Sequence, residues 1–91
     1  MVDTVALLAE FLGSFLLALA VLASGGNPLI VGGALALIIF LVGKISGGHV
    51  NPAVTAAIYA KGGLTATETL LYMGSQIAGG FASLYTYKVF A

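Results

Sequence analysis

The polar side chains that stand out against apolar surroundings are Glu10, Ser46, His49, Asn51 and Gln76. Asn51 precedes Pro52, and an Asn at the N-cap followed by Pro in the first turn is a strong way to begin a helix. Such a start leaves the Asn amide free to donate hydrogen bonds to a neutral solute, while the partial positive charge of the helix end repels cations and protons. A lone Asn-Pro pair also begins ordinary buried helices, so its setting has to decide.

Glu10 sits in the middle of an apolar run, where a carboxylate is costly in lipid. It is expected to face the protein interior and accept hydrogen bonds from loop backbone or from His49. A proton relay is the sharper alternative, but no second carboxylate lies in the membrane to receive the proton. His49 and Gln76 are read in the same way, as braces. Ser46 with His49 is the only nucleophile and base pair on offer. No oxyanion donor or third group is evident beside it, so no catalytic residue and no enzyme activity is expected. His49 has no Cys, Asp or Glu at metal spacing, so neither a metal site nor a cofactor is expected.

The composition says what must hold these residues. Of 91 residues 60% are hydrophobic and 7% charged, with a mean hydropathy of +1.15. Too little polar surface is available to solvate a compact globule, and a lipid bilayer is the solvent that fits. Three basic residues, Lys44, Lys61 and Lys88, balance three acidic ones. No basic patch suits phosphates, and nucleic acid is not an expected partner. With no cysteine, a disulfide framework is excluded. The first apolar run lacks a basic leader and carries Asp3 and Glu10, so it reads as a retained membrane helix, not as a cleaved signal.

The expected class is an all-α membrane protein with three transmembrane helices and one re-entrant half-helix, in a single unit of residues 1–91. The spans are placed at about 5–24, 29–45 and 67–90, each about long enough to cross roughly 30 Å of hydrocarbon. Ser24-Gly25-Gly26-Asn27-Pro28 joins the first two as a hairpin, with Asn27 capping the second helix. The re-entrant loop and half-helix occupy about 46–60. Ser46 to Asn51 breaks the helix, and the apolar run from Pro52 to Ala60 covers roughly 14 Å, about half a membrane, before Lys61-Gly62-Gly63. Thr65 or Thr67 then caps the third span, with Glu68 in its first turn. Backbone of this kind at membrane depth is tolerated only when it is buried in protein or lines a watery cavity. Small residues at spacing four, Ala9 and Gly13, Gly32 and Ala36, and Ser75, Gly79 and Ser83, are expected to be packing faces.

Ser46-Gly47-Gly48-His49-Val50-Asn51-Pro52-Ala53-Val54-Thr55 resembles the first Asn-Pro-Ala signature of the aquaporin or major intrinsic protein family. Ala9-Glu10-Phe11-Leu12-Gly13-Ser14-Phe15 is similar to that family's first helix, and Gln76 with Gly79 and Gly80 adds to the likeness, which covers nearly the whole chain. The resemblance implies a passive, multi-pass membrane channel for water or a small neutral solute such as glycerol. Asn51, Pro52 and Ala53 would form the pore motif, with the carbonyls of Gly47, Gly48 and His49 lining the path and Glu10, His49 and Gln76 bracing the loop. The family's narrow-filter positions map to Val31, Ile39 and Val54. These are all aliphatic, without the Arg that in this very family adds an electrostatic barrier.

Family members carry two inverted repeats, whereas this chain carries one Asn-Pro-Ala motif. An inverted second copy can supply the other, giving an antiparallel homodimer, because a three-span unit has its ends on opposite faces. Lys44 and Lys61 on one face against Lys88 on the other is a weak bias that permits both insertions. Clustering of four pores, as in the family's tetramers, would take eight chains. Two alternatives stay open: a half-channel fragment that needs a different partner repeat, and a non-conducting membrane assembly module.

Overall fold

The computed structural model describes residues 2–91, which form α1 (Thr4–Ser24), α2 (Pro28–Ser46), α3 (Pro52–Lys61) and α4 (Ala66–Phe90). Each helix begins on a side-chain cap. The Asp3 carboxylate accepts from Ala6 N at 2.8 Å, and Asn27 Oδ1 from Leu29 N at 3.0 Å and Ile30 N at 3.1 Å. Thr65, not Thr67, caps α4 through a reciprocal pair: Thr65 Oγ1 accepts from Glu68 N at 3.1 Å, and Glu68 Oε1 accepts from Thr65 N at 2.9 Å. This arrangement satisfies two of the otherwise orphaned donors at a helix start. Glu68 Oε2 also accepts from Val2 N at 3.2 Å, tying the two helix starts together. The first three helices each end on a glycine in the left-handed region, Gly25, Gly47 and Gly62.

α1 is the central helix, packed against α4 and α2, and α3 packs against α4. The α1 and α4 seam closes at Gly79, where a β-carbon would collide with Phe11 O of α1 and lie 3.0 Å from Phe15 N. Small residues thus bring two backbones together, a contact that works in lipid without a hydrophobic driving force. Gly13 makes room on another side of α1, against Val50 and Ile38. Gly32 and Ala36 do not pack within the chain: both are exposed, and a β-carbon on Gly32 would meet nothing within 4 Å. Spacing of four marks a shared helix face, but it does not say whether a neighbour covers that face.

The side chains are distributed inside out relative to a water-soluble globule. The largest fully buried ones are Glu10, Thr55 and Ser83, while Leu29 and Phe40 are 86% and 83% exposed. Among the described residues two helices are long and apolar enough to cross a membrane, α1 and α2, with mean hydropathies of 2.4 and 2.3. The third expected span falls on α4, which is longer at 25 residues but more polar. Its Thr69, Gln76 and Ser83 are buried against neighbouring elements, which is how a polar helix face is made compatible with lipid.

Candidate functional site

The site is the loop between α2 and α3 together with the start of α3. Gly47 (φ 92°), Gly48 (φ 62°) and Val50 (φ 43°) all adopt positive φ. For a β-branched residue such as Val50 that is a strained conformation, sustained only where the surroundings over-determine it. The turn aims successive backbone amides at one place, as anion-binding nests do.

The anion in this nest is Glu10, which has no exposed surface. Its Oε1 accepts from Val50 N and Gln76 Nε2, both at 2.8 Å, and its Oε2 from Ser46 Oγ at 2.7 Å and His49 N at 3.1 Å. These four donors fill the acceptor capacity of a carboxylate. His49 contributes its backbone amide; its imidazole turns elsewhere, with Nδ1 3.0 Å from Thr55 Oγ1. The second Gln76 Nε2 hydrogen goes to the same Thr55 Oγ1 at 2.8 Å. Reversing the amide would set Gln76 Oε1 against the Glu10 carboxylate, so chemistry fixes its orientation.

The structure therefore brings Glu10, His49 and Gln76 together, and it adds Ser46, Thr55 and Tyr72. Tyr72 donates from its hydroxyl to Ser46 O at 2.6 Å, and its ring lies 4.9 Å from that of His49. Tyr72 stands four residues before Gln76, so a polar-tipped residue at helical spacing within an apolar segment was the signal for it. Ser46 and His49 do not form a nucleophile and base pair, because Ser46 Oγ is bonded to Glu10 and His49 to Thr55.

At the tip, Asn51 is exposed and its Oδ1 accepts from Ala53 N at 2.8 Å. Its amide nitrogen has no partner among the described residues. Pro52 and Ala53 follow as the first turn of α3. The carbonyls of Gly47, Gly48 and His49 accept no hydrogen bond among the described residues. Ile39 lies beside the loop, since a β-carbon on Gly48 would come 3.4 Å from Ile39 Cα. Val31 lies two turns, about 12 Å, further along α2, and Val54 is exposed on α3. Within one chain Val31 and Ile39 therefore cannot share one constriction.

An all-helical chain that wraps a glycine loop around an intrahelical carboxylate and presents an Asn-Pro-Ala helix start defines the class, and comparison with known proteins agrees. The model of the Major intrinsic protein family matches residues 2–91. Aquaporin Z of Photorhabdus laumondii is 41% identical over 66 residues, covering 72% of this chain and 29% of that protein. A glycerol uptake facilitator protein-like 6 of Lactiplantibacillus plantarum is 37% identical over 91 residues, covering 91% of this chain and 42% of that protein. The lens fiber major intrinsic protein of Gallus gallus is 36% identical over 88 residues, covering 85% and 34%. The chain belongs to the major intrinsic protein family, and it spans less than half the length of these relatives.

Proposed function

We propose that the chain is one half of a passive transmembrane channel for water or a small uncharged solute, its pore completed by an inverted second copy. In this reading α1, α2 and α4 cross the membrane, and the 47–51 loop dips to the midplane, from which α3 climbs back. The observation that carries it is the start of α3: Asn51 caps its own helix through Oδ1, and its amide nitrogen has no partner among the described residues. A neutral solute can accept a hydrogen bond there, whereas a cation meets the positive end of a helix dipole. The carbonyls of Gly47, Gly48 and His49, unpaired among the described residues, supply acceptors on the approach, and Pro52 and Ala53 let two half-helix starts meet tip to tip. Glu10, His49 and Gln76 hold the loop, and Val31, Ile39 and Val54 give the mouths an aliphatic lining.

The lengths of the relatives favour a second reading, in which a different repeat supplies the partner half. Osmotic shrinkage of liposomes containing only this chain separates the two. Fast shrinkage with a low activation energy, altered by Asn51→Asp, is expected of a self-paired pore. A folded, inserted chain that shrinks vesicles no faster than lipid alone would exclude self-sufficient water conduction.

A further inference from the structure

The Thr55 side chain lies one turn into α3 and has no exposed surface. Its hydroxyl meets Gln76 Nε2 at 2.8 Å and His49 Nδ1 at 3.0 Å, and no third group among the described residues. A hydroxyl brings one hydrogen and two lone pairs, so counting hydrogens settles the direction of each bond.

Gln76 Nε2 is a donor, because the same nitrogen faces Glu10 Oε1 at 2.8 Å and a carboxylate only accepts. Thr55 Oγ1 therefore accepts from it. The Thr55 hydrogen is then left with one acceptor within reach, His49 Nδ1, and a buried hydroxyl hydrogen without an acceptor is costly. Nδ1 must accept. A neutral imidazole carries its hydrogen on one nitrogen only, so that hydrogen sits on Nε2. Tyr72 does not compete, since its ring lies against the imidazole while its hydroxyl donates to Ser46 O.

Nε2 looks the other way. A β-carbon built on Gly47 would come 3.1 Å from it, which sets this edge of the ring beside the glycine turn. His49 is half-buried, and among the described residues the buried polar atoms without a partner are Ser14 Oγ and Gln76 Oε1. Nε2, which also has no partner there, is thus open to a passing molecule. We propose that Thr55 is a positioning residue that locks His49 as the Nε2–H tautomer, making the imidazole a hydrogen-bond donor on the approach to Asn51. The loop carbonyls offer acceptors alone, and the lock sets a donor beside them before the Asn51 amide is reached. A hydroxylic solute can answer both kinds of group, whereas a donor-only cation such as ammonium meets a further donor. The place of this donor on a solute path rests on the paired-pore reading; the lock is a property of one folded chain.

His49 is the only histidine of the chain, so histidine labelled with nitrogen-15 reports a single ring. The whole chain is studied by solid-state NMR in lipid bilayers at about pH 9, where an ordinary imidazole is neutral. An acceptor-type resonance at Nδ1, a proton-bearing one at Nε2 and magnetisation transfer from water to the Nε2 hydrogen are expected. Thr55→Val should move the tautomer ratio towards Nδ1–H by about tenfold, the equilibrium equivalent of one hydrogen bond, and Thr55→Ser, which keeps the hydroxyl, should keep the wild-type spectrum. A wild-type proton on Nδ1 overturns the lock whether or not Thr55→Val folds. So does an unchanged ratio in a Thr55→Val chain that circular dichroism shows to be folded. An Nε2 hydrogen that receives nothing from water overturns the donor role. Osmotic shrinkage of the same vesicles is read separately: absent shrinkage with the wild-type tautomer fixed on Nε2 would count against the paired pore and leave the lock standing.

Discussion

Val50 occupies the room that Gly13 leaves. A β-carbon built on Gly13 would come 2.5 Å from Val50 Cγ1 and 3.0 Å from Ile38 Cγ2. Val50 cannot yield easily, because its χ1 is stiff and its amide is anchored to Glu10. The contact therefore couples the packing of α1 to the height at which the loop sits.

Gly13→Ala should destabilise the fold by about 1–3 kcal/mol, the usual cost of overpacking, and slow osmotic shrinkage. Val50→Ala removes the colliding methyl, so the double variant should recover much of the loss. A denaturant cycle in mixed micelles with a coupling under about 0.5 kcal/mol would show the two residues to be independent.

Gly79→Ala should be the more disruptive alanine on α4, because its β-carbon meets the backbone of α1 at Phe11 and Phe15. The helices would have to part, at a cost of about 1–3 kcal/mol or more. Gly74→Ala, in open space on the same helix, should be neutral or stabilising by up to about 1 kcal/mol. Melting temperatures in detergent rank the two; equal losses would contradict the seam.

Glu10→Gln exchanges an acceptor-only group for one that carries its own N–H donors. One side of the new amide must then face donors from Ser46, His49, Val50 or Gln76. Leaving buried donors unsatisfied costs about 1–3 kcal/mol each. Amide hydrogen exchange at His49 and Val50 should accelerate most, and unchanged protection there would count against the carboxylate as the anchor.

Thr55→Val keeps the shape but removes the hydroxyl that joins Gln76 Nε2 to His49 Nδ1. A loss of about 1–3 kcal/mol is expected, with the His49 ring resonances broadening in NMR spectra. A silent substitution would mean that the imidazole is held by Tyr72 alone.

Asn51, Pro52 and the glycines before them could be read directly, because caps, proline and positive φ leave local marks in a sequence. Glu10 could be read because a carboxylate in an apolar run has few places to go. Thr55 and Tyr72 could not be assigned partners, since helical spacing puts Tyr72 on the face of Gln76 without naming Ser46 as what it reaches, and a threonine in a short helix is unremarkable until the fold aims it at His49. Gly32 and Ala36 misled for the related reason that a small-residue face declares closeness without naming the neighbour.

The Glu10 anchor also orders the birth of this protein. Its donors come late: Ser46 lies 36 residues downstream and Gln76 lies 66 downstream. A freshly made α1 therefore enters the bilayer with its carboxylate unanswered, at a cost of about 2.5–3.5 kcal/mol at a helix centre, and relies on the greasiness of its other residues to enter at all. Three of its four donors, Ser46 Oγ, His49 N and Val50 N, arrive when the α2 end and the loop emerge, and the fourth, Gln76 Nε2, only once the middle of α4 has been synthesised. The final helix is thus the clasp of a biosynthetic sequence, and a nascent chain halted before Gln76 should be the species that quality-control proteases recognise.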